Sequence, residues 1–165
     1  MNLQKYFSHQ RQLDDLIIRE KHLTGRDLFS RKRLALMVEI AELANEFPET
    51  FKFWAYKKNQ YDKALIELVD IFHFILSIGL DFGKISGQYI YQVSYMPINS
   101  HGHLKLEDVF KEFMVSASKL STKTYVMFMN DFLALIDTLG FTWKEFEEAY
   151  FEKNQINHER QVTGY

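Results

Sequence analysis

One stretch of the chain constrains its fold more than any other. From Ala64 to Leu80 every residue is apolar or glycine except Glu67, Asp70, His73 and Ser77. An uninterrupted run of this length fits a helix, and a helix that is apolar nearly all round is buried on most of its faces. Ionisable groups at membrane depth are costly, so these interruptions argue against a bilayer span and for the central helix of a soluble bundle. The rest of the chain has the same habit, with only 7 Gly and 2 Pro and long apolar periodicities. Helices are expected over about 3–21, 31–46, 62–82, 106–120, 124–139 and 143–157. Ser30 reads as an N-cap for the second, and Phe47-Pro48 as its stop. Thr142-x-x-Glu145 reads as a capping box opening the last, so Glu145-x-x-Glu148 is assigned no chemistry. Gly87, Pro97 and Gly102 punctuate a long connection, in which 88–95 alternates weakly enough to be a strand or nothing. With no internal repeat and no linker, the expectation is all-α: a single domain over 1–165, a bundle of about six helices with a polar C-terminal tail.

Composition removes several function classes. A net charge of -2 and a pI near 6.3 give no bulk attraction to nucleic acid or an acidic membrane, and no helix carries a basic face. There is no Cys, which excludes disulfides, thiolate nucleophiles and Cys-ligated zinc. The N-terminus lacks the apolar run of a signal peptide, so a cytoplasmic protein without nucleic-acid or membrane partners is expected.

The residues that demand a chemical account are Glu39-x-x-Glu42 and Glu67-x-x-Asp70, two acidic pairs on consecutive helices. Residues three apart share a helix face, so each pair can aim two carboxylates at one spot. Burying ionised carboxylates without compensation costs several kcal/mol or more, and the third helix offers no Lys or Arg between Lys63 and Lys84. A shared proton relieves one pair but not two. A divalent cation relieves all four acids at once, and hard oxygen donors without Cys or a Glu-x-x-His motif favour Mg²⁺ or Mn²⁺ over zinc or iron. His73 alone reads more naturally as a satisfied core histidine than as a ligand.

The C-terminal sequence Tyr150-x-x-Lys153-Asn154-x-x-Asn157-x-x-Arg160-Gln161-x-x-Gly164-Tyr165 is polar throughout. If the last helix continues, Lys153, Asn157 and Arg160 form one stripe. Lys and Arg are phosphate donors, and Asn can read the edge of a base. A frayed, solvated tail is the bland alternative.

Two acidic pairs on consecutive helices resemble the MazG-like all-α nucleoside triphosphate pyrophosphohydrolases. Five segments are similar, in order, to the dimeric all-α dUTPases of that superfamily: Gln10-x-x-Leu13-Asp14, the run from Glu39 to Glu46, Phe51-Lys52-Phe53-Trp54, the run from Glu67 to Phe74, and the tail. The resemblance implies that Glu39, Glu42, Glu67 and Asp70 hold Mg²⁺ (or Mn²⁺), and that Gln10, Trp54 and Asn157 line a uracil pocket. It further implies Asp70 and His73 beside the sugar, and Lys52, Lys153, Arg160 and Tyr165 on the phosphates. A homodimer whose sites draw on both subunits is implied as well. The expected reaction is metal-dependent hydrolysis of dUTP, and of dUDP, to dUMP, with Glu39 the first choice as base and Glu42 the second. Two alternatives stay open at the level of residues: the same chemistry on another nucleotide such as dCTP, and a non-catalytic helical interaction module that binds a structural ion.

Overall fold

The computed structural model describes residues 2–87 and 105–164. Among them the chain forms α1 (Gln4–Glu20), α2 (Phe29–Asn45), α3 (Pro48–Phe51), α4 (Tyr61–Ser86), α5 (Leu106–Ser118), α6 (Tyr125–Thr138) and α7 (Trp143–Thr163). The fold is all-α. All six expected helices are present, and a seventh, the single turn α3, begins at Pro48. Proline ends α2 because it has no N–H to donate, and its fixed φ suits the first position of a new turn. Ser30 is not an N-cap: α2 starts at Phe29, whose N–H donates to Asp27 Oδ1 at 3.0 Å. The helix-starting oxygen lies two residues before Phe29, outside the apolar periodicity that set the expected boundary. The capping box of Thr142 and Glu145 is present. Both α4 and α7 run further than expected, each closing on a left-handed glycine, Gly87 (φ 70°) and Gly164 (φ 82°). The possible strand at 88–95 lies outside the described residues.

The central position of α4 follows from its composition. It packs against α2, α1, α7 and α6, and Ile71, Phe72, Ile75, Leu76 and Ile78 are wholly buried. The Phe72 ring stacks on Phe132 at 5.4 Å and meets the edges of Tyr6, Phe146 and Tyr150 at 5.5, 5.3 and 5.3 Å. Each such ring buries on the order of 150–250 Å², so this aromatic cluster supplies much of the apolar stabilisation that ties α1, α6 and α7 to α4. Among the described residues no helix is long and apolar enough to cross a membrane.

A second contact sets how these helices sit along one another. At Gly79 the missing side chain admits two rings: a Cβ there would lie 2.6 Å from Tyr125 Cζ and 2.9 Å from Phe7 Cε1. The Tyr125 hydroxyl donates to the Ile75 carbonyl at 2.9 Å, one turn up α4. Thus α1, α4 and α6 meet at one glycine. The register that results brings Gln10 and Asp14 of α1 opposite His73 and Ser77 of α4.

Candidate active site

The two acidic pairs come together where α2 crosses α4. Oxygens of Glu39, Glu67 and Asp70 lie within 4.8 Å of one another, each side chain half-buried. Desolvation pushes Glu39 up to about 7, helped by the charges of Asp70, Glu42 and Glu67. Glu67 is raised for the same first reason, followed by Asp70 and Glu42. Glu39 and Glu67 face each other within this group, and both are raised above the usual carboxylate range. Glu42 is exposed at the edge of this group and acts on it through its charge. Acids crowded until one holds its proton near neutrality are the arrangement a divalent cation relieves, and the donor set is all oxygen. The residues therefore fit the metal the sequence implied.

Glu39 and Asp70 also line a cleft of about 570 Å³ between α1, α2, α4 and α7. Its apolar lining includes Leu13, Ile17, Leu28 and Phe74. Its polar lining includes Gln10, Asp14, Lys32, His73 and Ser77, with Lys153, Asn157, Arg160 and Gln161 from α7. The stripe expected on the last helix is thus present, and the helix that carries it is continuous to Thr163. Its inner neighbours Phe146, Tyr150 and Asn154 are buried, and this holds the stripe against the cleft. Lys153 Nζ donates to Asp70 Oδ2 at 2.6 Å, so the stripe on α7 touches the acidic group directly through this lysine.

Buried polar side chains form a ladder between α1 and α4. Gln10 Nε2 donates to Asp14 Oδ1 at 2.7 Å, and Gln10 Oε1 pairs with His73 Nδ1 at 2.7 Å. Ser77 Oγ donates to Asp14 Oδ2 at 2.6 Å, and Lys32 Nζ stands 3.6 Å from that oxygen and 2.7 Å from Asp81. Burial pushes Asp14 above the usual carboxylate range, with Lys32, Ser77 and Gln10 pulling it back. Burial also holds His73 down to about 3, reinforced by Lys153 and His158, so the imidazole is neutral. Tyr150 stacks on its ring at 4.8 Å. Three buried polar atoms in this region have no partner among the described residues: His73 Nε2, Asn154 Nδ2 and Gln161 Oε1. Unpaired buried polar atoms cost about 1–3 kcal/mol each, and two of these, His73 Nε2 and Gln161 Oε1, belong to side chains that line the cleft and could pair with an occupant.

Of the residues expected at the site, Gln10, Glu39, Asp70, His73, Lys153, Asn157 and Arg160 line the cleft, with Glu42 and Glu67 in or beside the acidic group. Trp54 and Lys52 are not brought to it within one chain. Trp54 is 66% exposed after α3, against Phe53, and Lys52 Nζ donates to Asn45 Oδ1 at 2.5 Å. Tyr165 lies outside the described residues. The sequence reading gave no role to Asp14, Lys32, Ser77, Asn154 or Gln161. A signal existed for two of them: Gln10/Asp14 and His73/Ser77 are both four-residue spacings, which put each pair on one helix face.

Carboxylates and cations gathered on one cleft, Glu39 and Asp70 beside Lys153 and Arg160, suit a polyphosphate held through a divalent cation, the business of a nucleotide phosphohydrolase. Comparison narrows that class, since the profile described as dUTPase matches residues 2–165, and the chain belongs to that all-α dUTPase family. Its reaction is the hydrolysis of dUTP, which makes it a dUTP diphosphatase of nucleotide metabolism, and the family implies a divalent metal. No curated protein matches the chain.

Proposed function

We propose that this dUTP diphosphatase works with Mg²⁺ held by Glu39, Glu42, Glu67 and Asp70. The observation that carries this is the approach of Glu39, Glu67 and Asp70 within 4.8 Å, with one of them protonated near neutrality. When bound, the cation neutralises and orients the triphosphate. Glu39 is the base that takes a proton from the attacking water, since it lies within the acidic group and also lines the cleft. Glu42 is the second choice. Lys153 and Arg160 hold phosphate oxygens, joined by Lys52 and Tyr165, while Asp70 and His73 stand beside the sugar. Gln10, Asn157 and Trp54 serve the base. The products are dUMP and pyrophosphate, and dUDP is accepted with release of phosphate.

The working unit in this reading is a homodimer in which each cleft takes Trp54 and Lys52 from the neighbouring subunit. Two observations support it. Those side chains stand away from their own cleft, and Leu34, Val38, Phe53, Tyr56 and Ile66 expose apolar surface on α2, α4 and the segment after α3. The test is subunit mixing with Mg²⁺ and dUTP, controlled by EDTA. Glu39→Gln and Trp54→Ala proteins, each nearly inactive alone, should regain about a quarter of wild-type activity after co-refolding, since half the dimers then carry one intact site. No recovery, with dimers still formed, would place Trp54 outside the partner's site.

A further inference from the structure

We propose that Asp14 is a positioning residue of the reaction. Through Gln10 it fixes His73 with Nε2 as an obligate acceptor, ready for an N–H or O–H donor of the nucleoside. This rests on the cleft being the nucleoside site. With Asp14 ionised, as the Lys32 ammonium beside it favours, the ladder has one consistent polarity. Lys32 and Ser77 both face Asp14 Oδ2, and an ammonium can only donate, so Asp14 serves as an acceptor there. Its other oxygen meets Gln10 at 2.7 Å and also accepts, which obliges Gln10 to present Nε2 to Asp14. Gln10 Oε1 is then the atom left facing His73 Nδ1, 2.7 Å away. A carbonyl oxygen accepts, so Nδ1 carries the proton. A neutral imidazole holds only one, and Nε2 is left as a bare lone pair.

That lone pair has no partner among the described residues, on a side chain only 6% exposed that lines the cleft. An acceptor buried in this way asks for a donor. The deoxyuridine part of dUTP, with its 5′ oxygen esterified, offers two, the 3′-hydroxyl and the N3–H of the base. His73 lies three residues from Asp70, about 4.5 Å along α4 from the acidic group, a spacing that brings the sugar hydroxyl into reach first. Asp14 touches no reacting atom in this account. Its work is done one residue removed, in the direction of a hydrogen bond.

The test reads that direction. In wild-type protein without nucleotide, ¹⁵N spectra of the imidazoles, assigned with His73→Gln, should show His73 protonated on Nδ1. Protonation on Nε2 would overturn the proposal with no variant needed. Asp14→Asn keeps the shape but can donate, which lets Gln10 turn over and should move the proton to Nε2. Ser77→Ala removes a donor without reversing any and should leave it on Nδ1. An Asp14→Asn protein that folds with His73 unchanged would also overturn the proposal. Turnover then identifies the donor. A loss in kcat/KM of a few-fold, absent with 2′,3′-dideoxy-UTP, marks the hydroxyl, which can rotate and accept. A loss of about a hundredfold, absent with N3-methyl-dUTP, marks the imide, where two donors would face each other. If wild-type protein handles both analogues like dUTP, the proposal falls together with the reading of the cleft. The tautomer result by itself overturns the relay and leaves that reading standing.

Discussion

Acidification should weaken cation binding at the acidic group, by an amount the structure fixes. Glu39 sits at about 7 instead of its ordinary 4.5, first through desolvation and then through its acidic neighbours. A ligating carboxylate has to be ionised, so below that point each cation must expel a proton. With one such group, the ionised fraction falls from roughly nine-tenths at pH 8 to one-tenth at pH 6, and the apparent dissociation constant rises about tenfold. A glutamate at its ordinary value would be ionised at both pH values and would produce no change. Calorimetric titration with Mg²⁺ or Mn²⁺, in two buffers of different ionisation enthalpy, gives affinity and proton release together. Close to one proton should leave per cation at pH 6 and almost none at pH 8. The same shift governs the metal-free fold. A carboxyl raised by folding supports the folded state fully below about pH 4.5, and that support is lost as the pH rises through 7. Removing the cation should therefore lower the unfolding temperature more at pH 8 than at pH 6. An affinity flat from pH 6 to 8, with no proton release, would refute the crowding of Glu39 against Glu67 and Asp70.

Two further outcomes concern stability. His73 is held down to about 3 by burial, so it supports the fold above its unfolded value of 6.5 and loses that support as pH falls towards 3. Between pH 8 and 5 the loss is about 2 kcal/mol, and denaturant titrations should show it shrinking sharply in His73→Gln. Gly79→Ala gains about 1 kcal/mol of helix propensity but drives a methyl into Tyr125 and Phe7, overpacking that costs typically 1–3 kcal/mol or more. A melting temperature lowered by a few degrees is expected, and a raised one would mean that both rings can move aside.

The parts of the fold and site that were legible in the sequence are those written in local spacing. The run from Ala64 to Leu80 announces a buried helix because it is apolar all round, and its Glu67 and Asp70 stand out against that background. Lys153, Asn157 and Arg160 share a face for the same helical reason, and the structure lays that face on the cleft. What escaped depends on register between helices. No spacing within α1 says that Asp14 meets Ser77, or that Lys32, many residues later, reaches Asp14 and Asp81. Asn154 looked like one more polar tail residue, and only the packing of α7 shows it on the inner row with Tyr150. Asp27, not Ser30, starts α2 because caps obey loop geometry that apolar periodicity does not record. Trp54 belongs to a recognisable segment, yet within its own chain it stands in solvent at 66% exposure.

The meeting of three helices at Gly79 has a bearing on how errors spread through this molecule. Phe7 is one turn from Gln10 on α1, and Gly79 lies six residues from His73 on α4, about 9 Å along the axis. The steric stop at this glycine thus works like the datum edge of a jig, from which the 2.7 Å span between Gln10 and His73 is measured. Hydrogen bonds of that length tolerate a slip of only a few tenths of an ångström before they weaken. A residue that meets neither nucleotide nor cation therefore sets the tolerance of the site. In an activity screen its substitutions would resemble damage to the chemistry itself, while a refolding assay would show them as faults of alignment.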